Sequence, residues 1–163
     1  MAVSVETRRN LIALFAALAI CFAASVIGGL LTRPNLAWYE TLERPGFAPP
    51  NGVFSVVWTI LYAMMAIAAW QFWRADGSDE DRKLGLVAFG IQLALNVAWS
   101  FAFFGLRSPG AGLVVILLLL VAITVTIVLF DRLSRSASLL LVPYLLWVCF
   151  AAALNFAFWF LNS

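Results

Sequence analysis

Five runs of about 20 residues, at 11–31, 53–73, 84–104, 111–130 and 138–161, contain no Asp, Glu, Lys or Arg. A helix rises about 1.5 Å per residue, so each run is long enough to cross roughly 30 Å of bilayer hydrocarbon. Backbone N–H and C=O groups find no partner in lipid, which leaves helices and closed barrels as the structures that can span it. Barrel strands alternate apolar and polar side chains over shorter segments, whereas these runs are continuous. The expected fold is all-α and integral to the membrane: a five-transmembrane-helix bundle forming one domain over residues 1–163.

Composition closes the other routes. Of the 163 residues, 64% are hydrophobic and 11% charged, against about 25% charged in an ordinary soluble domain. So few charges cannot build a water-exposed surface, which excludes a soluble enzyme. The net charge of +2 is scattered between apolar runs, not gathered into a phosphate-binding patch, so nucleic acid is not an expected partner. There is no His, and Cys21 and Cys149 both lie inside apolar runs. Zinc and haem iron thus lack their usual ligands and no metal is expected. The two Cys read as small core hydrophobes rather than a disulfide.

Arg8 and Arg9 ahead of the first run give it some likeness to a secretory signal. The run is longer than the about 7–15 apolar residues of a signal core, so it is read as a span. Arg8, Arg9, Arg74, Arg82, Lys83, Arg132 and Arg135 fall on one side of the implied topology, and Arg33, Arg44 and Arg107 on the other. If the membrane is a bacterial inner membrane, the positive-inside rule places the N-terminus in the cytoplasm.

Most connections are short. The exception, 32–52, carries Pro34, Pro45, Pro49 and Pro50 among Trp38, Tyr39, Leu42 and Phe47. It reads either as a stiff lid over one mouth of the bundle or as an aromatic belt at headgroup level. Trp70, Trp73 and Trp159 lie near span ends and read as interfacial anchors; Trp58, Trp99 and Trp147 lie deeper. Helical spacing puts Phe54, Trp58, Leu61, Tyr62 and Met65 on one face, and likewise Gln92, Asn96, Trp99 and Phe103, and Tyr144, Trp147, Ala151 and Asn155. Intramembrane amides must point inward for partners. Two readings follow: polar glue between helices, at about 0.6–2 kcal/mol per group, or an aromatic pocket with a few convergent polar groups. No acid, base or His lies within a span, so ion transport and ordinary hydrolysis lack candidates.

Gly90, Ala94, Ala98 and Ala102 form a four-residue ladder of small side chains. It allows close helix approach, either within the chain or, the favoured reading, as a homodimer seam. Pro143, near the start of the fifth run, fits a first helical turn.

Read in order, these motifs resemble the tryptophan-rich sensory protein and translocator protein family, also called the peripheral benzodiazepine receptor family. The likeness is carried by Trp38-Tyr39 with Leu42, Arg44-Pro45, Phe47 and Pro49-Pro50; Val53-Phe54 with Trp58 and Leu61-Tyr62; Gln92, Asn96, Trp99-Ser100 and Phe103-Phe104-Gly105; and Val142-Pro143-Tyr144, Trp147, Ala151 and Leu154-Asn155. It covers nearly the whole chain. The resemblance implies a five-helix bundle, commonly homodimeric, with a cavity beneath the first loop that binds porphyrins such as protoporphyrin IX and benzodiazepine-type ligands. It implies ligand contacts from Trp38, Tyr39, Phe54, Trp58, Tyr62, Asn96, Trp99, Tyr144, Trp147, Ala151 and Asn155, with Ala151 at a small position that tunes ligand binding. Porphyrin would be a ligand, with no obligatory cofactor.

Three functions are then in play. A receptor or regulator of tetrapyrrole metabolism or stress signalling comes first. A light-dependent porphyrin-degrading enzyme would use Trp58 and Trp147. A transporter of tetrapyrroles or sterols lacks paired interrupted helices in matched halves, and the C-terminal cholesterol motif of animal members has no counterpart after the fifth run. Arg44 is a candidate partner for a porphyrin propionate, or else pairs with Glu40 or Glu43.

Overall fold

Helix ends carry free backbone groups that need water or a cap, so each apolar run extends beyond the hydrocarbon until a cap or a proline stops it. The computed structural model describes residues 5–163. Its helices are α1 (Val5–Thr32), α2 (Leu36–Glu40), α3 (Asn51–Arg74), α4 (Asp79–Ser100), α5 (Pro109–Asp131), α6 (Arg135–Leu140) and α7 (Val142–Leu161). A 3₁₀ turn, Arg33–Asn35, joins α1 to α2, and a π turn, Phe101–Gly105, extends α4. Among the described residues, five stretches are long and apolar enough to cross a membrane: Val5–Glu40, Asn51–Arg74, Asp79–Gly105, Pro109–Asp131 and Arg135–Leu161. Apart from Arg33, in the 3₁₀ turn inside the first stretch, the charged residues sit near the ends of these stretches.

Local chemistry sets the boundaries. Ser78, Ser108 and Ser134 cap α4, α5 and α6 by accepting from the backbone N–H of Asp81, Ala111 and Ala137. Pro109 stands in the first turn of α5, where its missing N–H costs nothing. The fifth span is two helices, not one. Pro143 cannot donate, and the chain turns at Leu141 before α7 restarts. Arg82, in the first turn of α4, reaches back to the carbonyls of Trp73 and Ala75 and closes the end of α3.

The spans form a ring in which α1 packs on α3, α3 on α6, α6 and α7 on α5, α5 on α4, and α4 on α1. An odd ring of alternating helices must hold one parallel pair, and here it is α1 with α4. Gly28 makes that approach close: a Cβ there would stand 3.2 Å from Ser100 Oγ. The half remote from the first loop is solid. Phe72 stacks on Phe130 with centroids 4.0 Å apart and planes 1° from parallel, and Phe89 lies 6.0 Å beyond. Met65 and Ile123, about two turns nearer the middle of their helices, continue this core. The half beneath the loop is hollow.

The first half of the 32–52 connection is helical, which its prolines did not suggest: Pro34 falls at the start of a 3₁₀ turn, where proline is tolerated. Tyr39 is buried against Phe103, Phe104 and Phe158, at 6.2, 5.7 and 5.2 Å between centroids. The Asn162 side chain bonds both the N–H and the C=O of Glu43. Arg107 donates to Asn35 Oδ1 at 3.1 Å, and Arg44 to the Pro49 carbonyl at 3.2 Å. The connection is therefore fastened across the bundle end, with Phe47 left exposed at its lip.

Candidate ligand cavity

A cavity of about 760 Å³ lies beneath this connection, walled by α1, α2, α3, α4 with its π turn, and α7. Phe54, Trp58 and Tyr62 from α3 face Asn96, Trp99 and Phe103 from the third span and Ala151, Asn155 and Phe158 from α7, with Tyr39 as roof. Val26 and Leu30 on α1 and Ser55 and Thr59 on α3 line it while remaining exposed, so the cavity opens sideways between these helices. The hydroxyls of Thr32 and Thr59 donate to the carbonyls of Gly28 and Ser55 one turn back, which satisfies them without water.

Two hydrogen-bonded chains fix the wall. The Tyr62 hydroxyl donates to Asn96 Oδ1 at 2.7 Å; Asn96 Nδ2 donates to the Tyr144 hydroxyl at 2.9 Å; that hydroxyl donates to Gln92 Oε1 at 2.9 Å. In the second chain Trp99 Nε1 donates to Asn155 Oδ1 at 2.9 Å, and Asn155 Nδ2 to the Pro109 carbonyl at 2.7 Å. Gln92, Asn96 and Asn155 are all buried, as intramembrane amides must be. Asn96 and Asn155 are both tie and wall, with Gln92 tied in behind them, so glue and pocket are one arrangement. Gln92 Nε2 and Trp147 Nε1 are buried with no partner.

Eight of the eleven contact positions line the cavity: Tyr39, Phe54, Trp58, Tyr62, Asn96, Trp99, Ala151 and Asn155. Three stand behind the wall. Tyr144 is fully buried and meets Trp58 edge-on at 6.2 Å. Trp147 is packed between Phe54 and Phe150, at 5.8 and 5.4 Å. Trp38 packs on Phe103 at 5.9 Å. Helical spacing placed Tyr144 and Trp147 on the inward face of the fifth span, yet α3 side chains intervene.

The sequence reading missed the α1 side of the cavity. Ser25, Gly28, Gly29 and Thr32 are small and weakly polar, and small residues on a span are equally what close helix packing uses. Along the small-residue ladder Gly90 and Ala94 are exposed and Ala98 is half-buried, while Ala102 is buried inside the chain. A strict four-residue step overshoots the 3.6-residue turn by about 40° at each rung, so the stripe drifts from the outer face inward by Ala102. Trp70 Nε1 donates to the Asn10 carbonyl, and Arg74 lies 4.5 Å over its ring. Trp73 lies under Arg9 at 5.8 Å. Cys21 is buried and Cys149 exposed, both free.

A sequence model of the TspO/MBR family matches residues 17–160. The chain is similar to a tryptophan-rich protein TspO of Chlorobaculum tepidum, 43% identical over 94% of this chain and 98% of the relative. A tryptophan-rich protein TspO of Archaeoglobus fulgidus is 41% identical over 94% and 99%. The translocator protein of Sus scrofa is 36% identical over 82% of each chain.

Proposed function

The chain belongs to the TspO/MBR family, and from that premise we propose that it is a membrane receptor for porphyrins of the protoporphyrin IX kind and for flat apolar ligands of the benzodiazepine kind. Binding in the intrabundle cavity would link it to tetrapyrrole metabolism or stress signalling. The observation that carries this reading is the cavity of about 760 Å³ with Trp58 and Trp99 on its wall and Tyr39 as its roof. Its size falls in the roughly 300–1,000 Å³ range of small-molecule sites, and its make-up follows their pattern of apolar walls with few polar groups. A planar macrocycle gains offset or edge-on ring contacts there. The deeper wall offers amides and hydroxyls but no metal ligand set; no group of three or more His, Cys, Asp or Glu stands together among the described residues.

The test is a titration of protoporphyrin IX into purified protein in the dark, following Trp fluorescence. Saturable quenching weakened by Trp58→Ala supports the reading; absence of quenching refutes it. Illumination of the complex then separates receptor from enzyme. A new pigment that needs folded protein and is lost in Trp58→Phe would favour photochemical degradation, since Trp58 alone of the two Trp suggested for that chemistry lines the cavity.

The exposed Gly90 and Ala94 support a homodimer through the outer face of α4. A Cβ at Gly90 would meet nothing within 4 Å of its own chain.

A further inference from the structure

Among the described residues Arg33 is the one charged residue lining the cavity, and no acidic residue lines it. It stands at the rim, in the 3₁₀ turn just after α1, and is solvent-exposed. Its side chain has no hydrogen-bond or ion-pair partner among the described residues. The other arginines at this end are occupied. Arg44 lies over the Tyr39 ring at 5.7 Å with a hydrogen bond to the Pro49 carbonyl, and Arg107 donates to Asn35; neither lines the cavity. α3 also begins at this rim with no side-chain cap at Pro50, and the positive end of its dipole adds to the potential there.

The remaining wall carries no charge: it is apolar or made of amides and hydroxyls, of which Tyr62 bonds Asn96, Asn155 bonds Trp99 and the Pro109 carbonyl, and Thr32 and Thr59 bond carbonyls one turn back. An anionic group carried deep into it would meet nothing to balance its charge and a steep desolvation cost. At the rim the same group keeps part of its water and meets a guanidinium whose fork fits a carboxylate with two parallel hydrogen bonds.

Resting on the cavity-ligand reading above, we propose that Arg33 is the anion anchor of the cavity. It pairs with the acidic arm of a ligand whose flat body lies against Trp58 and Trp99, so the site selects anionic amphiphiles over neutral ones and holds them acid end toward the rim. The role considered for Arg44 passes to Arg33.

The experiment compares protoporphyrin IX with its dimethyl ester, titrated into wild type, Arg33→Gln and Arg33→Lys in nanodiscs of zwitterionic lipid. Wild type should bind the acid about tenfold more tightly than the ester. Arg33→Gln should erase that preference by weakening the acid alone, Arg33→Lys should restore part of it, and added salt should shrink it in wild type and not in Arg33→Gln. Equal losses for acid and ester would show a merely structural role, and an unchanged preference in Arg33→Gln would show none; either overturns the anchor while leaving the cavity reading intact. If the preference vanishes when phosphatidylglycerol replaces the zwitterionic lipid, lipid phosphate is the partner of Arg33 and the proposal fails. Saturable binding of neither ligand overturns the cavity reading and the anchor together.

Discussion

The Tyr62 hydroxyl donates to Asn96 Oδ1 at 2.7 Å, while the same amide's Nδ2 donates to Tyr144. One side chain of α4 thereby ties α3 to α7 across the floor of the cavity. Asn96→Leu keeps the volume and removes both bonds, leaving two buried hydroxyls short of a partner. The expected loss is about 1–3 kcal/mol, read as a lower unfolding midpoint in detergent. An unchanged midpoint would mean that these bonds contribute nothing net.

Position relative to the wall ranks the deep tryptophans. Trp58→Ala removes a ring that lines the cavity, and porphyrin affinity should fall about three- to tenfold. Trp147→Ala acts only through Phe54 and should cost distinctly less in the same quenching titration. Equal losses would place Trp147 against the ligand.

Ala151 lines the cavity from α7. Ala151→Leu projects a larger side chain into space that is already hollow, so stability should hold within about 1 kcal/mol. Porphyrin affinity should drop tenfold or more, roughly 1.4 kcal/mol and upward. Loss of stability with retained affinity would reverse this assignment.

Gly85 sits at the other end, where a Cβ would fall 2.3 Å from Phe72 Cζ. Phe72 cannot yield, because it is stacked on Phe130. Gly85→Ala should cost about 1–3 kcal/mol through overpacking. Ligand affinity, measured below the unfolding range, should be unchanged, since the site lies in the opposite half.

Ala94→Trp blocks close approach on the outer face of α4 without touching the cavity wall. Light scattering in detergent should report a shift from dimer toward monomer, with porphyrin binding retained. A dimer that survives would move the interface elsewhere.

The bundle could be read from sequence because its cause is local: charge-free runs of sufficient length leave the backbone no other option in lipid. Gln92, Asn96 and Asn155 revealed the inward faces for the same reason, since an amide in hydrocarbon must turn to protein. What stayed hidden depends on depth and on breaks in helical register. Tyr144 and Trp147 share the inward stripe of α7 with Ala151 and Asn155, and only the three-dimensional arrangement shows that Trp58 and Phe54 stand in front of them. The short helix α2 was concealed by prolines that flank it, and the α1 wall by residues too small to announce a site. Arg33 registered only as one charge in a topology count, although its place at the rim is what gives the cavity a sign.

The π turn at Phe101–Gly105 has a further consequence for length. Leu106 N bonds Phe101 O at 2.8 Å and Ser108 N bonds Phe103 O at 3.1 Å, so this turn holds one residue more than an α-helical turn. Deleting a single residue there would turn the wide turn into an ordinary α-helical one, and the helix on either side would keep its facing, so α5 would still start where it does. What would change is the turn itself: with one residue fewer around the same circumference, Phe103 and Phe104 could not both keep their contacts with Tyr39. The span would tolerate the shortening as a membrane helix; the seat of the lid would not.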